Sequence, residues 1–154
     1  CPRNEHSANG MDAWQDYADS SSDYQEEVYF MQLVGDSENR TKALLHNAAK
    51  DKGFSIGYQV DQLPCFSLWK NTVGHDDGFV TGLEPAVNFP NRRKFEEEHG
   101  RVVPLAPGEE RKFDLKLGFH RSAESVSSVL DEIETLTPDS PVINAKPVTE
   151  YCEP

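Results

Sequence analysis

Glu84 is the residue whose neighbours best equip it for chemistry. It stands in the run Gly78-Phe79-Val80-Thr81-Gly82-Leu83-Glu84-Pro85-Ala86. Read as a strand, this run puts Phe79, Thr81 and Leu83 on one face and Val80, Gly82 and Glu84 on the other. Glu84 then projects beside a glycine, which leaves room for a ligand to approach. A carboxylate drawn out of water among apolar neighbours binds its proton more tightly, which suits a general base working near neutral pH. The plain alternative is a glutamate on an edge strand pointing into water. Other chemistries find less support. The five histidines, His6, His46, His75, His99 and His120, are scattered, with no short His/Cys spacing of the kind that holds a metal, so neither a metal nor a cofactor is expected. His75-Asp76-Asp77 reads as an acidic surface turn. The chain has no nucleophile elbow and no phosphate loop. Cys65 lies in an apolar strand, where buried thiols are inert.

The elements that must position Glu84 read as mostly β. Residues 1–25 are polar and rich in Ser, Asp and Asn, and are expected to form an arm or loop. Val28 to Val34 is an aromatic and β-branched run favoured in a buried strand. Thr41 to Asn47 fits strand or helix alone; the turn before it and the strict alternation of Phe54, Ile56, Tyr58 and Val60 after it favour an antiparallel meander. Leu63 to Lys70 is again strand-like, with Pro64 acceptable at its start. Residues 88–100 read as irregular and strongly charged. Lys112 to His120 alternates cleanly, Phe113, Leu115, Leu117 and Phe119 against Lys112, Asp114, Lys116 and His120, as in a strand with one wet face. One helix is expected at about 122–135: Ser122 caps it, Glu124 lies in its first turn, and Val126, Val129, Leu130 and Ile133 recur at helical spacing. Residues 136–154, with Pro138, Pro141, Pro147 and Pro154, are expected to be an extended tail. The β portion thus spans 26–135, as a sandwich or barrel.

Charge narrows the partners. The 154 residues hold 27 acids against 15 bases, for a formal net charge of -12. Phosphate binding depends on clustered Lys and Arg, so neither nucleic acid nor an anionic membrane is expected as a partner. Arg92-Arg93-Lys94 is followed almost at once by Glu96-Glu97-Glu98 and makes no basic patch. No apolar stretch approaches the roughly 20 residues of a membrane span. The three cysteines, Cys1, Cys65 and Cys152, are too few for a disulfide framework, and a cytoplasmic location is the expectation. Cys1 and Cys152 are able to pair if the termini meet. The start at Cys1, with no methionine, suggests a piece of a longer protein.

Three segments in order, Gly82-Leu83-Glu84-Pro85, Asn88-Phe89-Pro90-Asn91 and Leu105-Ala106-Pro107-Gly108-Glu109, resemble the C-terminal signature of the aldose 1-epimerase (galactose mutarotase-like) family. Upstream, Glu26-Glu27-Val28-Tyr29-Phe30 resembles that family's segment with a sugar-contacting acid, and Leu63-Pro64-Cys65-Phe66-Ser67-Leu68-Trp69 resembles its strand with an aromatic residue beside the sugar. The wording Leu-Pro-Cys-Phe-Ser-Leu-Trp-Lys-Asn, with Arg3-Asn4-Glu5-His6, is closest to an uncharacterised branch of the family. The resemblance covers about residues 1–135.

What the resemblance implies is an antiparallel β-sandwich, here the C-terminal portion of a supersandwich, that interconverts the α and β anomers of an aldose. A glutamate takes the proton from the anomeric hydroxyl, a histidine donates one to the ring oxygen, and the opened ring recloses after rotation about C1–C2. Glu84 matches the base. Glu26 stands where the family has an aspartate and is expected to contact a sugar hydroxyl. Trp69 is expected to stack on a sugar face, or else to pack in the core. His6 precedes the first strand, within reach of a sugar. The family's catalytic histidines and a sugar-binding arginine belong to an N-terminal half that this chain does not match. The expected partners are therefore an aldose and the N-terminal half as a separate chain, or further copies of this chain. A non-catalytic carbohydrate-binding sandwich is the alternative, and an assembly domain with a solvated Glu84 the third reading.

Overall fold

The computed structural model describes residues 1–74, 76 and 78–154. His75 and Asp77 of the expected acidic turn lie outside the described residues. Among those residues the chain is mainly β, with antiparallel pairing throughout and one long helix near the C-terminus, the class expected from the sequence. It divides into two compact units.

The first unit comprises Cys1–Gln32, Cys65–Val103 and Val142–Pro154. Its sheet has β1 (Glu27–Met31) and β5 (Val80–Ala86) flanking a central β4 (Cys65–Asn71). The register sets Val28 and Gly82 on either side of Trp69, and Phe30 and Glu84 on either side of Ser67. Because side chains alternate, these residues share one face with Cys65. At the Cys65 end this face is a core of Val28, Phe30, Cys65, Phe89 and Cys152, with the Phe30 and Phe89 rings stacked at 4.7 Å.

Residues 1–9 are more ordered than a polar arm. The Cys1 carbonyl accepts from the Phe30 N–H at 2.7 Å, and the Arg3 N–H donates to the Val28 carbonyl at 2.9 Å, so the segment runs along the free edge of β1. It continues into α1 (Glu5–Asn9), whose N-cap Asn4 accepts from the Ser7 N–H at 2.8 Å with Glu5 in the first turn. Five residues are too few to show a helical period in sequence. At the other terminus Cys152 is buried, its Sγ 3.6 Å from the Cys1 Sγ, and both thiols are free.

Residues 88–100, irregular by sequence, contain α2 (Arg93–Glu98). The helix exists around one buried charge. Glu96 is fully buried and accepts from Arg101 Nε at 2.6 Å, Arg101 Nη2 at 2.8 Å, Asn91 Nδ2 at 2.7 Å and the Phe89 N–H at 3.2 Å. Arg101 Nη1 also donates to the Glu150 carbonyl at 2.9 Å, and Asn91 Nδ2 to that of Tyr151 at 2.8 Å, which fixes the C-terminal segment.

The second unit comprises Leu33–Pro64 and Pro104–Pro141. Its sheet has β3 (Gly53–Gln59) between β2 (Arg40–His46) and β6 (Lys116–His120). The β2–β3 turn is closed by Asn47, whose Oδ1 accepts from the Asp51 and Lys52 N–H groups at 3.1 Å each. β6 is shorter than the alternation of 112–120 suggests, because the Asp114 N–H is taken by the Gln62 side chain at 2.9 Å and does not meet a strand. The helix α3 (Ala123–Leu136) buries Val126 and Val129, is capped by Ser122, and lies against β2, where Glu132 pairs with Lys42. No described helix is long and apolar enough to cross a membrane.

Candidate functional site

The core face of the first sheet turns polar beyond Ser67, where Trp69 bonds Glu26 and Glu84 lies on the same face as Trp69. Trp69 lies across from Gly82 on β5. Its indole Nε1 donates to Glu26 Oε2 at 2.8 Å, and its ring packs against the Val28 and Phe30 core. The side chain is half-buried, and its core packing is the one of the two sequence readings that the structure describes. The contact with Glu26 fixes the ring plane, and Glu26 is aimed at the tryptophan first, with its second oxygen left for other partners.

Glu84 sits two residues further along β5, opposite the buried Ser67. Its side chain folds back over Gly82, where a Cβ would meet Glu84 Cδ at 2.8 Å. The glycine leaves the space this carboxylate occupies, which is why its absent side chain matters here. Although the residue as a whole is exposed, the loss of solvent around the carboxyl raises its pKa above the ordinary glutamate value. A carboxylate shifted upward, on the same sheet face as the indole, is equipped to take a proton from a hydroxyl.

His6 does not join this row. Its Nε2 lies 3.2 Å from the Gln25 carbonyl, which puts it on α1 beside the residue that precedes Glu26. Cys65 is buried, and burial pushes its thiol up to about 11, as an inert core sulfur requires. No group of three or more His, Cys, Asp or Glu among the described residues could hold a metal ion.

The opposite face of the same sheet carries a cluster that pattern reading did not find. Lys70, almost fully buried, donates to Glu27 Oε2 at 3.0 Å, and the Tyr29 hydroxyl donates to the same oxygen at 2.9 Å. The Lys70 ammonium also stands 5.4 Å from the Tyr17 ring centroid and 5.7 Å from that of Tyr29. Tyr17 and Thr81 share a hydrogen bond of 2.5 Å, and the Thr81 hydroxyl donates to the Trp69 carbonyl at 2.7 Å. Burial, with the Glu27 contact second, raises the Tyr29 pKa. This network ties Tyr17 to the face of the sheet opposite Trp69. The available signal was a lysine amid the apolar run of β4, but its partner depends on the Glu27–Lys70 register, which no local pattern contains.

Comparison with known proteins agrees with this architecture. The model of a domain family of unknown function, DUF4432, matches residues 1–119. No curated protein matches the chain. Among solved structures, a Klebsiella pneumoniae subsp. pneumoniae protein described as a "putative aldose 1-epimerase" is 34% identical, with a TM-score of 0.85 over 90% of this chain. The match covers 36% of the Klebsiella chain, so the 154 residues span little more than a third of that neighbour. A family model that matches most of the sequence settles its family: this chain belongs to the DUF4432 family.

Proposed function

We propose that this chain contributes the base-bearing side of a sugar site that interconverts the anomers of an aldose. The observation that carries the reading is the row Glu84–Gly82–Trp69–Glu26: a carboxyl with a raised pKa beside an aromatic face held by a second acid. The aldose stacks its C–H face on Trp69, and Glu84 removes the proton of the anomeric hydroxyl. The developing oxyanion at C1 becomes the carbonyl as the bond to the ring oxygen breaks, and the ring oxygen takes up a proton. Rotation about C1–C2 and the reverse steps give the other anomer. The free oxygen of Glu26 accepts from a sugar hydroxyl. Two things support the assignment: the likeness to the Klebsiella protein, and a motif order, Leu83-Glu84-Pro85 on β5 followed by Phe89 in the core beneath the same sheet face.

In this reading the proton donor for the ring oxygen comes from outside the 154 residues, since His6 Nε2 is engaged with the Gln25 carbonyl. The test is anomerisation of a panel of aldoses, followed by polarimetry or NMR, in the protein that contains this chain. Glu84→Gln keeps the shape and removes the base, and should lower the rate by about 10²–10⁴-fold, the usual contribution of a general base. A variant as active as the parent refutes the role of Glu84. Sugar affinity without turnover in the parent would instead identify a binding module, for which the Trp69–Glu26 pair suffices.

A further inference from the structure

Cys1 and Cys152 stand 151 residues apart in sequence, yet the first unit brings their Sγ atoms to 3.6 Å with both thiols free. Neither backbone is a loose tail. Cys1 exchanges two hydrogen bonds with Phe30 on β1, at 2.7 and 2.9 Å. The Cys152 N–H donates to the Val148 carbonyl at 2.9 Å, and Asn91 holds both of its neighbours: Nδ2 donates to the Tyr151 carbonyl at 2.8 Å, and Oδ1 accepts from the Glu153 N–H at 3.3 Å. The sulfurs also converge on one acceptor, each 3.4 Å from the Pro2 carbonyl oxygen. Their access differs. Cys152 is buried in the core with Phe30 and Phe89, whereas Cys1 packs against that core from outside and is only partly covered. Cys65, in the same core, meets the Val87 carbonyl with its Sγ at 3.9 Å.

We propose that Cys1 and Cys152 form a thiol–disulfide switch, set by a small-molecule disulfide, that locks residues 148–153 to the segment running along the edge of β1. Cys1 is the entry sulfur because it is the accessible one. Its thiolate attacks one sulfur of the small disulfide, which gives a mixed disulfide and releases the first small thiolate. The Cys152 thiolate then attacks Cys1 Sγ, the bond from Cys1 to the small molecule breaks, and the second small thiolate leaves. Two electrons pass from the cysteine pair to the small disulfide, and the two cysteine protons end on the two small thiols. Burial raises the Cys152 thiol, which makes it a poor first attacker and leaves it the resolving role beside Cys1. Closing 3.6 Å to a disulfide bond of about 2.0 Å is a movement on the scale of a side-chain rotation. The lock acts on the cover of the core, since the Phe89 ring stacks on Phe30 at 4.7 Å and meets Tyr151 edge-on at 5.5 Å. Reduced, the C-terminal segment is held by hydrogen bonds and packing and opens locally; oxidised, it is tethered to β1 through residues 1–3. The switch does not depend on the chemistry assigned to Glu84.

The experiment equilibrates the protein that contains this chain in buffers of graded glutathione to glutathione disulfide ratio, traps free thiols by alkylation and maps the peptides by mass spectrometry. Hydrogen exchange over residues 148–153 is followed in the two end states. The expected result is a Cys1–Cys152 linked peptide pair, lighter by two hydrogens than the separate thiol peptides, that forms in the oxidising buffers and reverts in the reducing ones. Cys65 should stay a thiol throughout. The cross-link should slow exchange in residues 148–153 by about tenfold or more, because the tethered segment no longer opens freely. In Cys152→Ser the reaction should stop at the mixed disulfide, with glutathione left on Cys1. In Cys1→Ser, glutathione should reach the buried Cys152 at least about tenfold more slowly. Two free thiols in the most oxidising buffer overturn the proposal, and that result needs no variant to fold. So do a link from either cysteine to Cys65, a cross-link that resists reduced glutathione, and exchange in residues 148–153 that is equal in both states.

Discussion

Replacing Glu96 by alanine should be among the most damaging single changes outside the candidate site. The side chain is fully buried and takes four hydrogen bonds, two of them from the Arg101 guanidinium. Alanine removes every acceptor at once and strands a cation whose side chain is only 14% exposed. Breaking a buried ion pair by deleting one partner costs about 3–5 kcal/mol, because the remaining charge is left desolvated and unpaired. With a urea m-value of roughly 2 kcal/mol/M for a chain of this size, the denaturation midpoint should fall by about 2 M. Glu96→Gln keeps one acceptor and the packing, so its loss should be about half as large. Glu98→Ala, two residues on and exposed, is the control and should change stability by no more than about 0.5 kcal/mol. A midpoint shift for Glu96→Ala no larger than that of the control would show that the network is ornamental.

The same carboxyl gives the prediction a pH dependence. Burial alone would raise its pKa, but the hydrogen bonds from Arg101 and Asn91, the Arg101 charge and the Phe89 N–H outweigh burial and lower it. A carboxylate whose folded pKa lies below its unfolded value of 4.5 stabilises fully above that value. The contribution fades as pH falls from there through the folded pKa. Stability of the parent should therefore decline on acidification below about pH 4.5, and that of Glu96→Gln should decline less steeply.

Other expectations follow from the site face and its reverse. Where the chain supports anomerisation, the acid limb of kcat/KM should lie above the ordinary glutamate range and vanish in Glu84→Gln, since protonation of Glu84 removes the base. Glu26→Ala frees the Trp69 indole and should raise KM several-fold with a smaller effect on kcat, while changing tryptophan emission; Glu26→Gln, which retains an acceptor, should restore most of both. Lys70→Met leaves the half-buried Glu27 without its cation and should cost about 3 kcal/mol in a urea titration, against which an unchanged midpoint would count.

The mainly β class and the Ala123–Leu136 helix were readable because both depend on local periods: two for Phe54, Ile56 and Tyr58, and about 3.6 for Val126, Val129 and Ile133. The place of Glu84 on a strand face, two residues after a glycine, was readable for a related reason. What escaped was set by long-range pairing. The run around Glu96 looks like a solvated charge cluster, and only Arg101, five residues on, and Phe89, seven back, make its burial tolerable. Nothing in the spacing separates Glu96 from Glu97 and Glu98, which stay exposed. The pairing of Glu26 with Trp69 depends likewise on a register that joins positions 43 residues apart.

Trp69 and Lys70, adjacent on β4, show why a site forms at this place in the sheet. Alternation sends the indole to one face and the ammonium to the other, so each recruits one of two adjacent glutamates, Glu26 for the indole and Glu27 for the lysine. The second pairing is dry and anchors β1 to β4. The first stays at the surface, where the indole and the free carboxylate oxygen remain available. A one-residue slip of β1 that set Val28 opposite Lys70 would turn Glu27 to the indole's face and leave Lys70 with no acid opposite it. The cost of that uncompensated charge holds the register. The ion pair on the back of the sheet thereby places Glu26 beside Trp69 on the front, in the row that ends at Glu84.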